Sequence, residues 1–295
     1  MTDIIRSFLF VPADSEKKLA KAEGLAADAL ILDLEDAVLS HRKKIAREMC
    51  VDFLKTARPS AQIWVRINPL DSGQAHNDLH AILPHPPAGI MLPKPDGPVD
   101  IESLSRMIDG LENTLGKKNN HLKILPVATE TARAVLSLGL YPRTHLPKLF
   151  GLTWGAEDLA TDLGATTNKD DKGYFRFTYQ MVRSQTLIAA KAAGVQAIET
   201  LYDNFRDKEG LRQRAQRAYA DGFSGMLAIH PAQIDMINTC FSPSEAQVRH
   251  ARAVIQAFRD DPDAGAVSVG GKMTDIPHLK QAENIVSAYE GFDKK

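Results

Sequence analysis

The sequence is poor in cysteine. Cys50 and Cys240 are the only two in 295 residues, and neither belongs to a C-x-x-C pair. That spacing argues against a zinc ribbon or a redox dithiol. Two isolated thiols suit a reducing cytoplasm and read as small buried hydrophobes. An excess of either charge is also missing. There are 36 basic and 37 acidic residues and a formal net charge of -1, so no long-range field captures nucleic acid or an anionic membrane. A local basic pocket for one phosphorylated ligand stays open. Long apolar runs are absent too. The opening stretch MTDIIRSFLFVPADSEKKL reads as neither a secretory signal nor a membrane span. No solenoid repeat, low-complexity tract, G-x-S-x-G elbow, H-E-x-x-H helix or Ser-His-Asp order is present.

What is there is an ordinary core composition, 44% hydrophobic and 25% charged, in a length that suits one large domain or one with an appendage. Eight short apolar runs alternate with helix-compatible segments. The runs are 7–13, 29–34, 63–68, 89–94, 123–129, 149–154, 196–202 and 223–230. Near-continuous apolar runs of this length suit strands covered on both faces, as in parallel sheets. Between them, 40–57 predicts a helix with Ile45, Met49, Phe53 and Leu54 on one face. Segments 179–193 and 209–220 predict helices as well, the second stopped by Gly222. Eight β–α alternations match a (β/α)₈ TIM barrel. A doubly wound open sheet is the runner-up, but VPADSEKK after the first run lacks its Gly-rich loop.

The barrel is expected over residues 1–235, followed by a C-terminal helical extension over 236–295. In the extension, 231–240, 244–259 and 277–289 read as helices, and the Gly-rich, acidic stretch 260–272 reads as a flexible connector. Such an appendage could close over a site, its own or a neighbour's.

In a barrel the reactive face lies at the carboxyl ends of the strands. Ionisable groups end six of the eight runs: Glu35 and Asp36, Arg66, Lys94, Glu130, Glu157 and Asp158, and His230. Each also has a plainer reading. Glu130, Glu157 and Asp158 open helices, where acids favour the helix dipole. Arg66 is as readily a buried partner for Asp33 or Glu35 as a substrate group. Lys94, between two prolines, could reach solvent or serve as a Schiff-base amine, although acids beside it would keep it charged. His230 could be a hydrogen-bonded core histidine. Together, several acids and two strong cations describe a charged-substrate site. Paired carboxylates with waters suit Mg²⁺, and an arginine fork suits a carboxylate.

The stretches SFLFVPADSEKKLAKA, LILDLEDAV, VRINPLDS, IMLPKPDG, GAEDLATDLGA and GMLAIHPAQI resemble the citrate lyase β-subunit-like branch of the Mg²⁺-dependent aldolase/lyase superfamily. That branch includes malyl-CoA and citramalyl-CoA lyases. The resemblance runs from Arg6 to about Tyr289. It implies a (β/α)₈ barrel with a C-terminal extension, assembled as homotrimers or homohexamers. It also implies Glu130 and Asp158 as Mg²⁺ ligands, Arg66 as the grip on the substrate carboxylate, and Glu35 and Asp36 as acids holding metal-bound waters. Phe10 and Lys21 match positions that contact CoA. GGKMTDIPHL places at Asp275 the aspartate that reaches a neighbouring subunit's site and, protonated, donates to the enolate carbon; as an acid just before Pro277 it also reads as a helix cap. Ser15 stands where many members carry an arginine for the CoA phosphates, Thr274 replaces a common valine, and Glu199 replaces a frequent aspartate. The activity implied is retro-Claisen cleavage of a short 3-hydroxy-3-carboxyacyl-CoA thioester to a 2-oxo acid and acetyl-CoA. The alternatives are a citrate lyase β subunit whose substrate rides on an acyl carrier protein, and a non-catalytic CoA-ester-binding or assembly protein.

Overall fold

The computed structural model describes residues 4–119 and 121–292; the outer ends of the two expected segments, 1–3 and 293–295, lie outside the described residues. Each apolar run becomes a strand: β1 (Ser7–Pro12), β2 (Ala29–Asp33), β3 (Gln62–Arg66), β4 (Gly89–Leu92), β5 (Lys123–Pro126), β6 (Gly151–Leu152), β7 (Gln196–Glu199) and β8 (Gly225–Ala228). All pair in parallel, in the order β5-β4-β3-β2-β1-β8-β7-β6. The ring closes between β5 and β6 through the Ile124–Leu149 and Val127–Thr153 bridges, with the Phe150 amide donating to the Ile124 carbonyl at 2.9 Å. This is the (β/α)₈ barrel that the alternation predicts.

Alternation along each strand divides the core in two. Phe8, Ile31, Trp64, Met91, Leu125, Ile198 and Leu227 point inward and fill the barrel. Phe8, Trp64 and Phe150 meet edge to face there, with ring centroids 5.0 to 6.1 Å apart. Leu9, Val11, Leu30, Leu32 and Val65 point outward, against the helices.

The barrel helices are α1 (Glu16–Ala22), α2 (Lys43–Thr56), α3 (Ala75–Ile82), α4 (Pro98–Leu115), α5 (Ala132–Ser137), α6 (Ala156–Asp162), α7 (Phe177–Ala192) and α8 (Lys208–Asp221). Gly222 ends α8 with φ 110°, the left-handed stop that glycine favours. The buried face of α2 is Ala46, Cys50 and Phe53, while Ile45 is exposed. The expected stripe is therefore turned by one residue: small Ala46 and Cys50 let the helix lie close to the sheet, and Met49 and Leu54 flank the contact.

Beyond the barrel, α9 (Ile234–Cys240) packs on β1, β8 and α8. Ser244 caps α10 (Glu245–Asp260) with a reciprocal bond pair to Gln247. The stretch expected to be a flexible connector is instead an antiparallel hairpin, β9 (Ala266–Val269) and β10 (Lys272–Asp275). Gly270 and Gly271, at φ 59° and 79°, make its two-residue turn. The final helix, α11 (Ile276–Phe292), follows at once. Val254, Phe258, Ala282, Val267 and Val269 form a small core of their own, apart from the barrel's.

Candidate active site

The carboxyl ends of the strands open on a cavity of about 660 Å³. Its wall includes Arg66, Glu130 and Asp158 from the barrel and Lys17, Lys18 and Lys21 from α1.

Arg66 ends β3 directly opposite Asp33, which ends β2. Its Nε donates to Asp33 Oδ1 at 2.8 Å and its Nη2 to Oδ2 at 2.6 Å. Nη1 stands 3.0 Å from Glu35. The guanidinium lies 4.6 Å from the centroid of the half-buried Phe10 ring. Burial disfavours its charge, but Asp33 and Glu35 more than offset that and hold it protonated. Arg66 is thus a buried partner for two acids, and it also forms part of the cavity wall.

Lys94 follows β4 with φ 49°, the one non-glycine residue with positive φ among the described residues. Its amide donates to the Glu130 carboxylate. Its ammonium lies 2.5 Å from Glu35, 3.3 Å from Asp36 and 3.5 Å from Asp158. Burial works against that charge, yet Glu35 and the other acids raise its pKa well above the usual lysine value. An amine held this way is no Schiff-base nucleophile, as its acidic neighbours predict. Burial also pushes up the Glu35 carboxyl. Partial burial acts in the same direction on Asp36, but Lys94 and Arg66 outweigh it and hold that group low.

Glu130 is 4% exposed. Burial, and secondarily the charge on Asp158, push its carboxyl up to about 8, against the Lys94 amide that favours the ionised form. Gly155 stands beside it: a Cβ there would meet Glu130 Cγ at 2.8 Å and Val127 Cγ1 at 3.2 Å. Asp158 lies in the first turn of α6, whose cap is Gly155. Among the described residues no three His, Cys, Asp or Glu side chains group as a full metal shell. Two carboxylates remain, one of them buried where a cation would add to the Lys94 amide in favouring its charge. That set fits Mg²⁺, a hard oxygen-seeking ion that keeps most of its octahedral shell for water and substrate oxygens. Glu157, in the same turn, is exposed and keeps the plain role of an acid at a helix start.

The other expected residues are more dispersed. Asp275 is half-buried, does not line the cavity, and stands 2.5 Å from His278 Nδ1, which holds its carboxyl below the usual range. His230 lines the cavity half-buried; its Nδ1 accepts from the Ala232 amide at 3.1 Å, and its ring stacks on Phe205 at 4.4 Å. Glu199 is fully buried, accepts from the Trp154 indole at 2.7 Å and pairs with Arg183 at 2.5 Å, so it fixes the Trp154 wall rather than facing the cavity. Ser15 caps α1 without a side-chain capping bond and lines the cavity. Lys17 and Lys18 escape a reading by sequence because charged residues early in a helix look like a solvated face. The available signal is their spacing, since Lys17 and Lys18 precede Lys21 by four and three residues and share its side of α1.

An arginine and carboxylates gathered at this face of a (β/α)₈ barrel suit oxyanionic substrates, and the class is that of carbon–carbon lyases. Residues 6–231 match the HpcH/HpaI aldolase/citrate lyase family, and the chain belongs to it. It is 34% identical to the mitochondrial citramalyl-CoA lyase of Rattus norvegicus, over 98% of this chain and 87% of the relative. To a (3S)-malyl-CoA thioesterase of Cereibacter sphaeroides it is 33% identical, over 97% and 95% of the two chains. Among solved structures, CitE of Mycobacterium tuberculosis in complex with magnesium, acetoacetate and coenzyme A superposes with a TM-score of 0.79 at 31% identity, covering 98% of this chain and 100% of that one.

Proposed function

We propose that the protein is a Mg²⁺-dependent carbon–carbon lyase of short 3-hydroxy-3-carboxyacyl-CoA thioesters such as citramalyl-CoA or malyl-CoA. Cleavage gives a 2-oxo acid and acetyl-CoA, and Claisen condensation is the reverse. The observation that carries this reading is one cavity lined both by Glu130, Asp158 and Arg66 and by three lysines of α1. A carboxylate with a hydroxyl beside it suits the first group, and the phosphates of CoA suit the second.

In this reading Glu130 and Asp158 hold the ion, which when bound makes the substrate hydroxyl more acidic and polarises the forming carbonyl. Arg66, fixed in orientation by Asp33 and Glu35, pairs with the substrate carboxylate before and after the bond breaks. Glu35 and Asp36 accept from waters around the ion. Phe10 packs against the thioester arm, and Lys17, Lys18 and Lys21 take over from the arginine that Ser15 replaces. Trp154 and Phe175 supply apolar wall that limits water. Asp275 delivers the proton to the thioester enolate carbon. It does so in a neighbouring subunit of a homotrimer or homohexamer, with 236–295 as the reaching segment and 1–235 as the barrel. Away from His278, among a neighbour's acids, its carboxyl would take up the proton this role needs. No helix among the described residues is long and apolar enough to cross a membrane, and the two isolated thiols suit the cytoplasm.

A citrate lyase β subunit acting on a citryl-acyl carrier protein is the second reading. The citrate lyase subunit beta of Leuconostoc mesenteroides is 29% identical over 95% of this chain and 92% of its own length, so a long tail does not separate the two. A purely binding protein would have no need of Glu130, Asp158 and Arg66 in one wall.

The test is a panel of hydroxyacyl-CoA esters given to purified protein with Mg²⁺, scored for released 2-oxo acid. Release that EDTA abolishes is expected; none from any ester, with activity only on a carrier-bound citryl group, favours the second reading. Asp158→Ala is expected to lose Mg²⁺ binding by calorimetry while keeping its fold, and unchanged affinity would sink the ligand assignment.

A further inference from the structure

Lys94 touches both carboxylates of the candidate metal site, and with different parts of itself. Its amide holds Glu130, while its ammonium lies among Glu35, Asp36 and Asp158. The left-handed backbone at φ 49° turns the N–H toward the end of β5 and the side chain toward β2 and α6. Arg66 is already committed to Asp33 and Glu35. Neutralising Asp36 and Asp158 therefore falls chiefly to Lys94.

We propose that Lys94 is a built-in counter-ion of the metal site. The proposal rests on the assignment of Mg²⁺ to Glu130 and Asp158. Lys94 neutralises the acid cluster when no ion is bound, then releases Asp158 to the arriving ion while staying on Glu35 and Asp36. Asp158 is the loosest of the three contacts, at 3.5 Å against 2.5 Å for Glu35 and 3.3 Å for Asp36. A fixed positive charge this close also repels a divalent cation. Lys94 thus sets Mg²⁺ affinity below what the carboxylates alone would give, and it keeps the empty site from flying apart by like-charge repulsion.

The experiment compares wild type, Lys94→Met and Lys94→Arg. Mg²⁺ is titrated calorimetrically, and thermal unfolding is followed with EDTA and with saturating Mg²⁺. Lys94→Met keeps the amide and an unbranched side chain but removes the charge. Its metal-free midpoint is expected to fall, its Mg²⁺ affinity to tighten about tenfold, and its gain in midpoint on adding Mg²⁺ to exceed that of wild type. Lys94→Arg is expected to stay within about twofold of wild-type affinity, because the charge remains. Unchanged or weaker Mg²⁺ binding by Lys94→Met overturns the proposal. So does a loss of stability, or a failure to fold, that saturating Mg²⁺ does not rescue. A wild type that binds no Mg²⁺ at all overturns the metal assignment itself, and the counter-ion role with it.

Discussion

Glu130 concentrates the chemistry of the site in one side chain. Its carboxyl is raised from 4.5 to about 8 in the metal-free protein, so folding favours the protonated form. That contribution is complete below about pH 4.5 and is lost as the pH climbs through about 8. The unfolding midpoint in EDTA is expected to decline across that window, and Glu130→Gln to flatten the decline. A Glu130→Gln profile as steep as wild type would show that the slope comes from elsewhere. Gly155→Ala probes the same carboxylate by contact: the new methyl would fall 2.8 Å from Glu130 Cγ, so the side chain must move. A loss of Mg²⁺ affinity by calorimetry is expected together with a stability loss of about 1–3 kcal/mol from crowding a buried site, and unchanged affinity would count against the contact. That Glu130, Asp158 and Arg66 line one cavity was legible in the sequence because strand ends in a barrel face one mouth. The grip of Lys94 on Glu130 was not, because it depends on a backbone angle that no residue type announces. Nor could the sequence choose between Asp33 and Glu35 for Arg66; opposed strand ends and a three-pronged guanidinium let it take both.

At the scale of elements, the eight barrel strands were legible. Burial on both faces leaves little room for polar residues, so even the two-residue β6 announced itself within a longer apolar run. The hairpin β9–β10 was not, because short strands around two glycines have the composition of a linker. Only the Val267 and Val269 alternation, with Gly-Gly at the turn, distinguishes it. On α2 the buried face follows size more than hydrophobicity, small Ala46 and Cys50 taking the contact while Ile45 faces outward. Packing inside the barrel gives a sharper test. Gly89 opens β4 opposite Trp64 on β3, and a Cβ there would lie 2.3 Å from the Trp64 ring. Trp64 is wedged against Phe8 and Phe150 and has little room to yield. Gly89→Ala is expected to lower stability by about 1–3 kcal/mol in denaturant titrations, without altering Mg²⁺ stoichiometry.

The whole molecule is a closed barrel carrying a small module with its own core. Asp275 sits on that module, half-buried and outside the cavity of its own chain. Mixed oligomers of Asp275→Ala and Glu130→Ala subunits are therefore expected to recover activity that neither variant has alone. No recovery in verified mixtures would count against sharing. The ring itself sets a timetable for the chain as it leaves the ribosome. Residues 7–9 must pair with 226–228, so β1 waits for a partner about 220 residues downstream, roughly ten to forty seconds at ordinary rates of synthesis. Until then the nascent sheet, begun at β1–β2, presents the unpaired edge of β1 to the cell, besides the edge that each new strand extends, the kind of edge that chaperones exist to cover.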